Sequence, residues 1–396
     1  MRRVLTRSGV ALAVAAVVLL AVGWVADYPE LIALAFAGLA ALAAAVLWML
    51  SRHDLTAVRE IRPHRVSTGE RAVGVLTVTN QARRRSPPLL ATEAVTSIQT
   101  NQTAQLSVPL PSLAAGEHHQ ASYSLPTQRR DIYQVGPLTI DHTDPLRLMA
   151  RGREYETWSR LVVHPRIHQV EPIPTSRTRD MDGATSSYAP QGGIAFHSVR
   201  EYEFGDDRRL IHWKSTARMG KFMVRHNVVP HEPRLMVVLD TSMSPYNENS
   251  FEEAVSAAAS LCVAAIRSGF PLHFRTTAKG AGAVDRAGDS SDAVLDLLAG
   301  VQRSNADQGL AVLPGMVPRD ESLTLGVVTG QPRADLLALL PVVRPRVLMV
   351  SLIQFTDLIQ FTDESTATPA AVGGVVSVIV RNSVEFAAAW NHLVRR

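Results

Sequence analysis

Asp240, Ser242 and Ser244 stand at alternate positions directly after a short apolar run, Leu235 to Leu239. Alternate residues leaving a strand can aim one carboxylate and two hydroxyls at a single point, and a hard divalent cation such as Mg²⁺ takes oxygen ligands. One carboxylate alone holds Mg²⁺ weakly. The spacing therefore predicts at best millimolar affinity unless a partner's acid completes the shell. The competing reading is that the two serines cap the following turn or helix.

A second constellation runs from Ser198 to Arg225, where seven basic and four acidic residues occupy 28 positions. Arg200, Glu201, Asp206, Asp207, Arg209, Lys214 and Arg218 carry much of that charge, interleaved with Tyr202, Phe204, Leu210, Ile211, Trp213, Phe222 and Val224. Charges this dense can satisfy one another through bidentate arginine–carboxylate pairs. Two readings follow: an internal ion-pair network, or a surface that docks a partner. Gly205-Asp206-Asp207 predicts a turn. Trp213 is expected to be buried between domains, with Arg209 and Arg218 held by Asp206, Asp207 or Glu201.

Other chemistry finds little support. The sequence contains no G-x-S-x-G elbow, no H-E-x-x-H and no phosphate loop ending in Gly-Lys-Ser/Thr. Its 13 histidines are scattered, and His226 and His231 flank a proline in poor metal geometry. The expectation is a chain with no catalytic residues. The balance of 40 basic and 36 acidic residues is too mild to imply nucleic acid. Cys262 is the single cysteine, which rules out an intrachain disulfide, and its apolar surroundings predict a buried, inert helix position.

The elements that position these residues follow from pattern. Gly9 to Ala26 and Leu31 to Leu50 carry no charge, and each is long enough for a helix to span a bilayer. Only Asp27-Tyr28-Pro29-Glu30 separates them, so residues 1–52 predict a transmembrane hairpin rather than a cleaved signal peptide. Arg2, Arg3 and Arg7 flank one end, and Arg52, Arg59, Arg62 and Arg65 the other, while the linker has two carboxylates and no basic residue. The positive-inside rule then places everything after residue 52 in the cytoplasm, behind a multi-pass anchor in the cell membrane.

Residues 53–166 predict a small β-sandwich of immunoglobulin-like type. Alternation is clear over Val73 to Thr79, Ala104 to Val108 and Tyr133 to Ile140. Turn residues at Ser86-Pro87-Pro88, Ala115-Gly116 and Gly136-Pro137 punctuate it. Arg83-Arg84-Arg85 and Arg129-Arg130 read as solvated turn or edge charges. Residues 167–232 form a linker carrying the charged segment, Pro-, Ser- and Gly-rich over 171–197. From 233 to 396, apolar runs at 235–239, 271–275, 323–328, 346–352 and 375–380 alternate with helical patterns. That order predicts a mostly parallel α/β sheet. The repeat of Leu352 to Asp357 as Leu358 to Asp363 reads as a slipped duplication in a strand-end loop.

The charged segment resembles the bacterial domain-of-unknown-function family numbered fifty-eight. Members read Val-Arg-Glu-Tyr, Gly-Asp-Asp, a basic residue, Ile-x-Trp-Lys, Ala-Arg and Val-Arg-Glu. Here the matching residues are Val199 to Tyr202, Gly205 to Asp207, Arg209, Ile211, Trp213-Lys214, Ala217-Arg218 and Val224-Arg225, with His226 in place of the closing Glu. Upstream, Arg130, Tyr133, Gly136-Pro137 and Asp144-Pro145-Leu146 resemble the family's Arg-Gly-x-Tyr, Gly-Pro and Asp-Pro-Phe stretch. The resemblance implies a cytoplasmic von Willebrand factor type A-like α/β domain behind a membrane hairpin, and a MoxR-type AAA+ ATPase as partner. Asp240-x-Ser242-x-Ser244 is similar to the first part of the metal-ion-dependent adhesion site of type A domains. The later Thr and Asp of that pattern are missing where they would fall, in Arg303 to Gly309 and Val327 to Gly330. The function expected is a membrane-tethered scaffold working with that ATPase in envelope protein assembly. The alternatives are an extracytoplasmic adhesion receptor, or a hydrolase using Ser242 or Ser244 with a histidine.

Overall fold

A computed structural model describes residues 2–49, 54–174, 195–203, 210–228, 233–278, 283–285, 291–356, 370–372 and 375–395. The chain divides into two compact units: residues 1–166 with 295–302, and residues 167–294 with 303–396.

The first unit opens with β1 (Arg2–Leu5) and two helices, α1 (Arg7–Ala26) and α2 (Pro29–Met49). Both helices are long and apolar enough to cross a membrane. The residues α1 buries are Gly9, Ala16 and Gly23, seven apart. Small residues on one stripe let two helices approach closely. Asp27 makes the reversal in a left-handed conformation.

Two sheets follow. One joins β2 (Leu55–Arg62), β4 (Val73–Asn80) and β7 (His118–Ser124), all antiparallel. The other is built around the long β8 (Asp131–Thr143). It contains β3 (Arg65–Ser67), β5 (Leu89–Ser97), β6 (Thr103–Leu110), β9 (Met149–Tyr155), β10 (Ser159–His164) and β1. Strict alternation in β4 turns Leu76 and Val78 inward, onto Leu89, Ala91, Leu138 and Ile140 of the facing sheet. Gly136 and Pro137 lie inside β8 and not in a turn. Gly136 has φ +125°, and a Cβ there would fall 2.2 Å from the Thr157 carbonyl oxygen, so only glycine lets the two backbones approach.

Two arginines are buried, one read from sequence as a solvated charge and one counted among the charges that flank the hairpin. Arg130, read from sequence as a solvated charge, is 4% exposed. Its Nη1 donates to the carbonyls of Leu298 (2.9 Å), Ala299 (3.3 Å) and Val301 (2.7 Å). Those carbonyls lie at and just past the end of α5 (Asp292–Gly300), where a helix leaves its last carbonyls without intrahelical donors. The Arg59 side chain pairs with Glu93 between the two sheets, each 1% exposed. Tyr123 donates to the same carboxylate, while Arg59 Nη2 donates to the Thr157 carbonyl (3.1 Å) and Ser159 Oγ (2.9 Å).

The second unit is an α/β sheet in the order β15-β14-β13-β16-β17-β19-β18. Its strands are β13 (Arg234–Leu239), β14 (Leu272–Thr276), β15 (Ala283–Asp285), β16 (Asp320–Thr329), β17 (Val347–Phe355), β18 (Ala370–Val372) and β19 (Val375–Val380). The five between the edges run parallel; β15 and β18 are antiparallel. Leu235 to Leu239 are all buried, as a strand covered on both faces requires. One face of the sheet packs on α4 (Glu248–Arg267), and α9 (Ser383–Arg395) packs on β19. On the other face Met236 and Val238 meet Leu313 of α6 (Leu313–Met316) and Leu340 and Val343 of α8 (Leu340–Val343), with Leu336 and Leu337 of α7 (Ala334–Leu337) alongside.

Part of the expected linker is fixed to this unit. His168 N donates to Ser260 Oγ (2.9 Å), Trp390 Nε1 donates to the Glu171 carbonyl (2.8 Å), and Ile173 is buried against Gly326. Cys262 is fully buried in α4, which pushes its thiol pKa up. The second copy of the hexapeptide repeat lies outside the described residues.

Candidate functional site

Parallel strands end together at one edge of a sheet, and ligands of α/β sheets gather outside that edge. Asp240 follows β13, Thr277 follows β14 and Thr329 ends β16, so the strand order brings them to one place. The loop from Arg303 to Gly309 closes over them. Ser304 N donates to the Thr241 carbonyl (2.9 Å), and Gly309 takes φ +59°.

Asp240 is 1% exposed. Its Oδ1 accepts from Ser242 N (3.0 Å) and Ser242 Oγ (2.7 Å), and its Oδ2 from Thr329 Oγ1 (2.8 Å). Asp307 Oδ2 accepts from Thr241 Oγ1 (2.6 Å) and from Thr277 Oγ1, which also lies 3.5 Å from Asp240 Oδ1. The Thr277 hydroxyl has one proton to share between two carboxylates. A Cβ on Gly309 would fall 2.6 Å from Ser242 Oγ and 3.1 Å from Asp240 Oδ1, so the glycine leaves a small oxygen-lined gap. A cavity of about 260 Å³ opens beside it, lined by Thr277, Ser304, Asp307 and Gln308 among others.

Two readings from sequence are corrected here. The second carboxylate is present: Asp307 comes from the loop that lacks the expected Thr. Ser242 binds the carboxylate, Ser244 is exposed, and neither caps the helix. The cap of α4 is Asn247, in a reciprocal box with Ser250. The Ser242 hydroxyl donates to the Asp240 carboxylate.

The donor set is all hard oxygen with two carboxylates, which fits a divalent cation with Asp240, Asp307, Ser242, Thr241, Thr277 and Thr329 around it. Among the described residues no three His, Cys, Asp or Glu side chains cluster, so hydroxyls would make up the rest of the shell. Burial raises the Asp240 pKa above the ordinary carboxylate value; hydrogen bonds from Ser242 and Thr329 oppose this, and the nearby Asp307 adds to it.

A prediction follows with a definite sign. A carboxyl raised in the folded state contributes stability below its unfolded pKa and loses it as pH rises through the folded value. In chelator, the melting temperature should therefore fall from mildly acidic to neutral pH. Mn²⁺ or Mg²⁺ should restore it at neutral pH only; at a hundredfold excess over Kd the gain is about 2.7 kcal/mol. Asp240→Asn should abolish both the pH trend and the cation response. A cation response that survives in Asp240→Asn would place the ion elsewhere.

The charged segment is described in part. β11 (Ala195–Glu201) and β12 (Met223–Val228) form an antiparallel hairpin, with α3 (Trp213–Met219) between them. His212 caps α3 through Nδ1, and Gly220 ends it at φ +69°. Gly205, Asp206, Asp207 and Arg209 lie outside the described residues. Glu201 pairs with Lys221 (3.2 Å) rather than Arg218, and Arg200 approaches Glu203 at 3.9 Å. The expected burial of Trp213 is wrong: it is 66% exposed, set edge-on to Phe222 at 6.5 Å. Tyr202 also meets Phe222 edge-on, at 6.4 Å. Lys214 and Arg218 are exposed on the same short helix. The family model described as "Protein of unknown function DUF58" matches residues 198–278, which cover all but the first three residues of β11, and β12, α3, β13, Asp240 and α4.

The resemblance read from the charged segment is borne out over residues 198–278.

The DUF58 match thus joins the aromatic face to the first half of the acid–hydroxyl site. No curated protein matches the sequence. Solved structures similar to part of the chain include the CARDB domain of a Pyrococcus furiosus protein in complex with di-metal ions. It is 14% identical, with a TM-score of 0.20, and the match covers 28% of this chain and 93% of that one. The putative ApaA protein of Bordetella pertussis is 13% identical, with a TM-score of 0.23, over 28% of this chain and 96% of that one. Pseudomonas fluorescens alkylpurine DNA glycosylase AlkC, bound to DNA with an abasic site analog, is 16% identical, with a TM-score of 0.20, over 33% and 40%.

Proposed function

We propose that this protein is a membrane-tethered, non-enzymatic binding module that docks its partner through the α3 face. The observation that carries this reading is the exposed apolar group Leu210, Trp213, Met219 and Phe222, rimmed by Lys214, Arg218 and Lys221. Large aromatic side chains left in water beside cations are what a protein-docking hot spot needs. The family resemblance makes a MoxR-type AAA+ ATPase the partner, in assembly or maturation of envelope proteins. We read the second unit as von Willebrand factor type A-like, on its strand order and the acid–hydroxyl cluster after its first strand. The two-sheet unit we read as immunoglobulin-like.

The anchor is the α1–α2 hairpin, inserted so that both soluble units face the cytoplasm. Val14, Val17, Val25 and Phe36 are exposed along it, a cost in water and none in lipid. Binding of the detergent-solubilised chain to the purified ATPase tests the docking surface. Trp213→Ala with Phe222→Ala should weaken binding at least tenfold, and Arg218→Ala should weaken it in a salt-dependent way, both at unchanged melting temperature. Undiminished binding by these variants would overturn the assignment.

A further inference from the structure

The strand before the first apolar helix is part of the β-sheet it precedes. β1 pairs with β9 from Arg2–Gly152 to Leu5–Met149. At the helix start Thr6 N donates to the Leu148 carbonyl (3.0 Å), and Thr6 Oγ1 reaches the carbonyls of Arg147 (2.6 Å) and Leu148 (2.9 Å) while capping Gly9 N (3.1 Å). A Cβ on Gly9 would fall 2.2 Å from the Leu148 carbonyl oxygen, so the β8–β9 turn lies directly against the first turn of α1. The turn is held from inside by Asp144, 2% exposed, whose oxygens accept from Leu146 N (3.0 Å) and Met149 N (2.6 Å). Its outer side presents Pro145, Leu146 at 60% exposure, and Arg147 in a left-handed conformation, φ +54°. Arg7, also exposed, is the residue after Thr6.

We propose that the turn Pro145-Leu146-Arg147 is a second membrane contact, in which Leu146 enters the acyl boundary and Arg147 with Arg7 holds the phosphate of an anionic lipid. The inference rests on the membrane-spanning reading of α1. Arg7 precedes the apolar run that begins at Gly9, so it lies at head-group depth. A turn hydrogen-bonded to Thr6 must lie at the same depth. An exposed leucine beside two arginines matches that layer, apolar on one side and anionic on the other. The bonds from Asp144 fix the turn beforehand, so little ordering entropy is lost on contact. The contact would hold the sheets against the bilayer surface, leaving the β-unit no free swing on its tether.

The test uses the full chain in vesicles of phosphatidylcholine with phosphatidylglycerol. An environment-sensitive fluorophore is attached at Leu146→Cys, or at Val17→Cys in the middle of α1; the native Cys262 is fully buried and does not label. The probe at 146 should show blue-shifted emission and be quenched by lipids brominated high on the acyl chain, and the probe at 17 by lipids brominated deep. Omitting phosphatidylglycerol, or introducing Arg147→Ala, should cut the shallow quenching roughly fivefold, the equivalent of about 1 kcal/mol per surface arginine. Water-like emission at 146 with a bilayer-buried probe at 17 overturns this inference alone. Water-like emission at both overturns the membrane-spanning reading with it. Shallow quenching that ignores phosphatidylglycerol overturns the role of the anionic lipid.

Discussion

Val238→Asp should unfold the second unit. Val238 is fully buried in β13, which lies between β14 and β16, and its side chain belongs to the cluster with Leu325, Val327 and Leu352. A carboxylate there would face aliphatic carbon and lose its hydration without a compensating partner. Burying an unpaired charge is among the few single changes that cost more than about 4 kcal/mol, a large share of a domain's whole stability of about 5–15 kcal/mol. Scanning calorimetry should show the transition of this unit lost or moved far down, while the two-sheet unit still melts. Val238→Ala, which removes methyl groups and adds no charge, should keep the transition at a lower temperature. An unchanged calorimetric trace for Val238→Asp would mean the strand is misplaced.

Arg59→Met should be nearly as damaging in the other unit. Glu93 is closed between two sheets, and burial raises its pKa while Arg59 pulls the other way. Taking away the guanidinium strands the carboxylate, and breaking a buried pair in this way costs about 3–5 kcal/mol. The sign with pH is fixed. With the folded pKa of Glu93 raised further, the variant keeps most of its stability at acidic pH, where the carboxyl is protonated. It loses that stability as pH rises through the folded value. Arg59→Met with Glu93→Leu should recover much of the loss, because no charge is then left in the interior. Chemical denaturation of the three variants at acidic and neutral pH measures both effects. A loss in Arg59→Met that is the same at each pH would show that packing, and not the stranded carboxylate, is at stake.

The two polar clusters differ in what they invite. The Arg59–Glu93–Tyr123 group pairs its own charges: the Glu93 carboxylate accepts from Arg59 and from the Tyr123 phenol, and Thr157 and Ser159 accept from Arg59 Nη2, while the buried Nε has no partner. The group at Asp240 is open. Two carboxylates share hydroxyl donors with no basic side chain among those hydrogen bonds, beside a cavity. A cation is the group whose arrival would offset the burial that raises Asp240. The DUF58 match covers Asp240 and stops at residue 278, short of Asp307.

Much of the architecture was readable from the order of residues alone. Two uncharged runs of bilayer length separated by four residues made two adjacent helices. Alternation over Val73 to Thr79 made a half-buried strand, and five consecutive apolar residues made β13. Gly269, after a helical stretch, stops α4 in a left-handed conformation. The place of Asp240 at a strand end was legible for the same reason. All these signals are local, because the period and length of an apolar pattern are fixed by backbone geometry within a few residues. The partners of Asp240 were not local. Thr277 is 37 residues away and Thr329 is 89, and Asp307 joins only through Thr241 and Thr277. Nothing in the pattern around any of them marks it out; only the parallel order of β14, β13 and β16 brings them to one edge. Burial of Arg59, Glu93 and Arg130, and exposure of Trp213, were decided in the same way. A side chain's chemistry is written at its own position. Whether it meets water, a counter-charge or another sheet is set by which distant strands the fold places beside it.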